Sequence, residues 1–236
     1  MSIIQAFNPS NTSRGQTVAY VLAIFNQKGG SGKTMLCVHV AVAAMYSGRN
    51  VCILDVDPQA SASAWRKSRT GQLPVVVQVP DSSLQRAIDG AIGDGYDLIL
   101  IDSPPSVSPA TARIIGAADL VVVPVRPEPF DLAAVPATMR LIGAKRYVFV
   151  LSDCPQKAPE IEVSRLALAG TGHPVYGPVN NWRSMWRALV TGQAVAEFEP
   201  EGKPAKEVAE VCSDILRELA NAPPVVQQEV TDVTSN

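Results

Sequence analysis

The sequence predicts an α/β fold, a doubly wound and mostly parallel sheet flanked by helices. Three observations carry that prediction. Short β-branched apolar runs alternate with longer amphipathic stretches between residues 18 and 170. The runs are apolar at nearly every position, as in parallel strands buried on both faces. The connections are short, which suits right-handed strand–helix–strand crossovers. In such a sheet, ligands sit beyond the carboxyl ends of the strands.

The first strand is expected over 18–25 (VAYVLAIF) and the first helix over 33–47 (KTMLCVHVAVAAMYS), with Gly48 as a helix stop. A second strand at 51–55 (VCILD) leads into a helix at 58–69. A third at 74–79 (PVVVQV) precedes a helix at 82–92, and a fourth at 97–101 (DLILI) precedes one at 108–117. The fifth strand, 119–125 (DLVVVPV), leads to a helix at 131–142, where Pro136 should kink the helix or sit near its start. A sixth strand at 147–151 (YVFVL) is followed by a helix at 158–170. Residues 17–220 show no linker-like shift in composition and are expected to form one domain. The segments 1–16 and 221–236 are polar, proline-containing and unpatterned, which is the composition of disordered arms.

With 236 residues, 47% hydrophobic and 18% charged, and a formal net charge of -2, the chain has an ordinary globular profile. Any nucleic-acid binding would need a local basic patch rather than bulk charge. No segment approaches the roughly 20 uninterrupted apolar residues of a membrane span. The N-terminus lacks the basic start and apolar core of a signal peptide, so a cytoplasmic protein is expected. Cys37, Cys52, Cys154 and Cys212 are scattered without C-x-x-C spacing and read as buried free thiols of a reducing compartment. His39 and His173 have no Cys or His partner at metal-ligand spacing, so no imidazole metal site is expected.

The stretch NQKGGSGKT (26–34) follows the first strand and opens the first helix. That context makes it a phosphate-binding loop. Gly29, Gly30, Ser31 and Gly32 let successive backbone N–H groups turn inward around phosphate oxygens, and the helix start adds its positive end. Lys33 should reach the β- and γ-phosphates and the Thr34 hydroxyl should ligate Mg²⁺. A nucleoside triphosphate is the expected ligand. The pattern G-x-x-x-x-G-K-[ST] is broken at its first glycine, where Gln27 stands, and a second lysine, Lys28, follows.

Acids gather at two other strand ends. Asp55 and Asp57 straddle the end of the second strand, with Pro58 stopping sheet pairing there, and Asp102 ends the fourth. Asp102 is placed to hold the water shell of Mg²⁺, Asp55 is a further candidate metal ligand, and Asp57 could orient the attacking water. Solvated strand ends are the alternative reading of these acids. Lys28 could project across to a nucleotide in a neighbouring subunit, as a charge clamp on the transition state; a solvated surface lysine is the alternative.

Together, KGGSGKT (28–34), DVDPQ (55–59), DLILIDSPPS (97–106) and DLVVVPVRPEPFDLAAV (119–135) resemble the deviant Walker A ATPases of the ParA/MinD family. The resemblance extends over roughly residues 18–220. It implies a P-loop NTPase fold and Mg-dependent hydrolysis of ATP in a homodimer formed with ATP. Lys28 would contact the phosphates of the partner's ATP, making ATP binding a dimerisation event, and Asp57 would promote hydrolysis. The DPQ and PPS stretches look like the short, single-domain ParA branch. That branch implies partition of plasmid or chromosome DNA, or positioning of a large protein assembly. It also implies non-specific binding to nucleoid DNA, a ParB-like or cargo adaptor that stimulates hydrolysis, and no membrane partner. A MinD-like membrane-cycling ATPase is the alternative, but the tail has no Lys or Arg after Arg217. An iron–sulfur relative would want paired cysteines, and a metabolic enzyme of the superfamily a small-substrate pocket. The chain departs from the family where an Asn-Arg pair commonly stands near adenine: it reads VLSDCPQ (150–156), and no adenine contact is assigned to Ser152 or Asp153.

In NNWRSMWRALVTGQAV (180–195), Trp182 and Trp186 are expected to share one helix face, and Arg183 and Arg187 another. The two arginines are candidates for DNA contact. A packed aromatic stripe flanked by solvated arginines is the alternative. Residues 140–206 carry nine Lys or Arg against six Asp or Glu, so basicity is local and modest.

Overall fold

Alternation along the strands puts successive side chains on opposite faces of one sheet, and helices cover both faces. The computed structural model describes residues 18–105 and 107–221; the arm expected at 1–16, and all but the first residue of the one expected at 221–236, lie outside this range. Among the described residues seven strands pair in parallel: β1 (Tyr20–Ile24), β2 (Val51–Asp55), β3 (Val75–Gln78), β4 (Leu98–Asp102), β5 (Leu120–Val125), β6 (Tyr147–Leu151) and β7 (Val175–Tyr176). Their order is β3-β2-β4-β1-β5-β6-β7. The expected fold class is the observed one.

The helices are α1 (Lys33–Tyr46), α2 (Ser61–Ser68), α3 (Leu84–Gly93), α4 (Pro109–Ala117), α5 (Pro129–Ile142), α6 (Glu160–Ala169), α7 (Arg183–Val190), α8 (Val195–Phe198) and α9 (Lys203–Ala220). Leu22, Ile24, Ile53, Leu98, Leu100 and Val122 turn to the face packed by α1 and α9. Their neighbours Val21, Ala23, Leu54, Ile99, Ile101 and Val121 turn to the face packed by α3, α4, α5 and α6. Both sets are buried, which explains strands without polar alternation. Each Val, Leu or Ile side chain so removed from water contributes roughly 1.5–3 kcal/mol. Helix α1 is buried along most of its length because α9 lies over it, with Cys212 Sγ 3.8 Å from the Val40 carbonyl.

Several boundaries differ from expectation. Helix α2 starts at Ser61, because Asp57–Ala60 first makes a turn in which the Ala60 N–H donates to the Asp57 carbonyl over 2.8 Å. Helix α5 starts at Pro129, so Pro136 lies inside it, on an exposed position where water can satisfy the carbonyl it leaves free. Beyond residue 170 the structure adds β7, α8 and α9. The last was legible: Val208, Val211, Cys212, Ile215 and Leu219 recur at helical spacing and are all buried. The four cysteines are free and buried, as expected.

Candidate functional site

Strand β1 delivers the glycine loop to the carboxyl edge of the sheet. Asn26 fixes the loop's start: its Nδ2 donates to the Pro124 carbonyl over 2.8 Å and its Oδ1 accepts from the Lys28 N–H over 2.9 Å. Gly30 and Gly32 adopt φ of 74° and 82°, the left-handed region that glycine enters without penalty. Gly32 is the N-cap of α1 and has no side chain to cap it, so the first N–H groups of the helix receive no acceptor from the cap. The Ser31 hydroxyl is buried there without a hydrogen-bond partner. Lys33 Nζ donates to the Lys28 carbonyl over 3.1 Å. Burial pulls its pKa down, against the opposing charges of Asp102 and Asp57. Uncapped helix N–H groups, a buried ammonium and an uncommitted hydroxyl are chemistry that a phosphate chain could use.

The acids have different tasks. Asp55 and Asp102 are both fully buried. Asp55 Oδ2 accepts from the Ser63 N–H (2.8 Å) and the Ser63 hydroxyl (2.7 Å), while Oδ1 accepts from the Asp57 N–H at 3.3 Å. Its carboxylate is committed to holding the start of α2. Neither oxygen of Asp102 has a hydrogen-bond partner. The Thr34 hydroxyl approaches without reaching hydrogen-bonding geometry, and burial dominates, pushing the Asp102 pKa up to about 7. A buried carboxylate with open oxygens beside a threonine hydroxyl fits a hydrated Mg²⁺. Among the described residues no group of three or more His, Cys, Asp or Glu could hold a metal, so the ion would need substrate phosphates to complete its shell. Asp57 is half-buried at the mouth and accepts from the Gln59 N–H over 2.9 Å.

Lys28 is not a solvated lysine. Its Nζ contacts Oδ2 of Asp131, in the first turn of α5, and Asp131 is itself buried. Arg126 holds the same carboxylate, Nε to Oδ1 and Nη2 to Oδ2, each at 3.2 Å. The sequence reading missed both Asp131 and Arg126. The available signal was one more acid beyond a strand end, in RPEPFDL (126–132), like Asp55 and Asp102.

Residues 22–233 match the family model of the CobQ/CobB/MinD/ParA nucleotide binding domain. The chain belongs to that family. The chain is similar to the maintenance of carboxysome distribution protein A of Gloeobacter kilaueensis, 31% identical over 206 residues, which is 84% of this chain and 93% of that one. The chromosome-partitioning ATPase Soj of Thermus thermophilus is 32% identical over 143 residues, covering 48% of this chain and 57% of Soj. The septum site-determining protein MinD of Pyrococcus horikoshii, solved with Mg-ADP, shares the fold at a TM-score of 0.67 and 18% identity, covering 86% of this chain and 98% of that one. ATP and Mg²⁺ are the cofactors of this MinD/ParA family.

Around the MinD/ParA loop the remaining predicted residues fall into place unevenly. Ser152 and Asp153 do lie at the loop: the Ser152 hydroxyl is 3.4 Å from the Ser31 carbonyl, and Asp153 lines the same cavity of about 540 Å³ as the glycines, Lys33 and Asp57. Burial raises the Asp153 pKa, with Arg126 opposing. Trp65 and Trp186 line that cavity too. The shared aromatic face expected of Trp182 and Trp186 is not formed. Trp182 is the extended N-cap residue of α7, tied by Nε1 to Glu207 Oε2 over 2.9 Å, and Trp186 stands 57% exposed on the helix. The indole's need for a buried acceptor outweighed helical stacking. Arg183 and Arg187 are both exposed on α7 and form no ion pair among the described residues.

Proposed function

We propose that this chain is an ATPase that dimerises with ATP, binds DNA non-specifically as a dimer, and so positions or partitions a cargo, with a partner protein stimulating hydrolysis. The observation that carries the reading is the second lysine: Lys28 borders a loop whose own phosphate cation, Lys33, is already in place. Lys33, the loop N–H groups and Thr34 would bind the triphosphate, and Thr34 and water held by Asp102 would complete Mg²⁺, which neutralises phosphate charge. Asp57 would orient water, and Lys28 would serve a nucleotide on a second copy. The similarity to a carboxysome distribution protein over most of both chains supports a large protein assembly as cargo, and the shorter match to Soj supports chromosomal DNA.

DNA contact would come from exposed Arg183 and Arg187, doubled by dimerisation. No described helix is long and apolar enough to cross a membrane. The test is sedimentation with and without ATP, followed by binding to unrelated DNA duplexes and to anionic liposomes. With ATP the wild type should dimerise and bind all duplexes alike, with affinity falling steeply as salt rises. Lys33→Ala should do neither. The Arg183→Ala/Arg187→Ala variant should still dimerise but bind DNA more weakly and with a flatter salt slope. A dimer that ignores DNA at low salt and coats liposomes would favour a MinD-like membrane cycle instead.

A further inference from the structure

We propose that Asp131 is a positioning residue: it holds Lys28 within its own chain and sets how readily that lysine transfers to a triphosphate on a second copy. This rests on the reading of Lys28 as acting between subunits. Three features of the contact carry it.

The first is asymmetry of burial. The Asp131 side chain is wholly buried, whereas Lys28 is 27% exposed, so the lysine can leave on its solvent side while the carboxylate stays. The second is the third charge. A buried carboxylate that loses its cation is normally left uncompensated, at a large cost. Here Arg126 still reaches both oxygens after Lys28 departs. Burial raises the Asp131 pKa, but bonds from Arg126 and Lys28 outweigh it and keep the acid below the usual carboxylate range, so the holding charge is present at neutral pH. The third is location. Phe130, the residue just before Asp131, is 82% exposed, and the Gln27 side chain reaches the Ala134 carbonyl at 3.4 Å. The start of the loop is thus tethered to α5 beside an apolar group that a docking copy would cover. A triphosphate carries more negative charge than one carboxylate, so the exchange runs toward the dimer only when nucleotide is bound.

The experiment has two readouts. In the nucleotide-free protein, acylation of Lys28 by a limiting amine reagent is followed by peptide mass spectrometry. Asp131→Asn, which keeps the shape and removes the charge, should label Lys28 about fivefold faster. With ATP and Mg²⁺, sedimentation should give Asp131→Asn a dimer dissociation constant about tenfold lower than wild type. That gain should vanish in the Lys28→Ala background, where a purely structural effect would persist. Should Asp131→Asn fold poorly, Arg126→Gln moves both readouts the opposite way, because Asp131 then grips Lys28 alone. Equal labelling of wild type and both variants overturns the holding contact and leaves the functional reading standing. A gain in dimerisation that survives in Lys28→Ala overturns the positioning role. A wild type that never dimerises with ATP overturns the functional reading and this proposal with it.

Discussion

Arg69, just past α2, and Glu197, in α8, meet in a two-pronged salt bridge with N–O distances of 2.5 and 2.7 Å. Both side chains are largely shielded, at 6% and 14% exposure. The same guanidinium donates to the Gly192 carbonyl over 3.0 Å and lies over the Trp65 ring, whose Nε1 donates to the Gln193 carbonyl over 3.1 Å. Gly192 must be glycine: at φ of 70°, a Cβ there would lie 2.3 Å from the Ser68 carbonyl oxygen. The helix that follows Asp57 is thereby clamped to the segment joining α7 and α8.

Breaking a shielded pair by removing one partner leaves the other charge uncompensated. Arg69→Ala should lower unfolding free energy by about 3 kcal/mol or more. Urea denaturation measures it. A loss under about 1 kcal/mol, the range of a solvated surface pair, would show that the clamp contributes little.

Asp102→Asn should weaken Mg-dependent ATP binding about 10–100-fold while hardly changing binding in excess chelator. The reasoning is that its two open oxygens matter only to a hydrated cation. Calorimetric titration with and without Mg²⁺ separates the two, and an equal loss in both conditions would remove Asp102 from the metal's surroundings.

Asp57→Ala should bind ATP near wild-type affinity and lower turnover about 10²–10⁴-fold, the usual effect of losing a group that handles the proton or water. It also lines a second cavity of about 550 Å³ with Asp55, Pro80 and Pro104, so access of water from that side remains. Phosphate release at saturating ATP gives the rate, and unchanged turnover would assign water positioning elsewhere.

His39 gives the pH dependence. It is fully buried on α1, its Nδ1 accepting from the Val195 N–H over 3.0 Å, and burial lowers its pKa from 6.5 to about 4. The unfolded chain therefore takes up a proton below pH 6.5 that the folded chain refuses until about pH 4. Stability from this group is full above pH 6.5 and falls as pH drops through that window, by about 3 kcal/mol in total. The urea midpoint of wild type should fall more steeply between pH 7 and 4.5 than that of His39→Gln. Parallel slopes would show that His39 does not carry the effect.

The order of strands and helices was legible because a strand buried on two faces and an amphipathic helix each advertise themselves within a dozen residues. Helix α9 was missed although its spacing was regular, and β7 because two residues make no pattern. The glycine loop was legible for another local reason: left-handed backbone at Gly30 and Gly32 demands glycine, and a helix start demands nothing but position. Trp182 and Trp186 show the limit, since their spacing fitted a common face until an acceptor 25 residues from Trp182 drew that indole off the helix.

What the sequence determined by itself was the family, the sheet, the place of the glycine loop and the acids at its rim, all matters of residue type at short spacing. What only the tertiary structure decided was which charges meet. Lys28 faces Asp131 across 103 residues, Arg69 faces Glu197 across 128, and Asp55 is committed to Ser63 while its register neighbour Asp102 is left open. Such pairings follow from how the sheet orders its strands and where burial removes water, and neither is encoded in the spacing of the residues that end up touching.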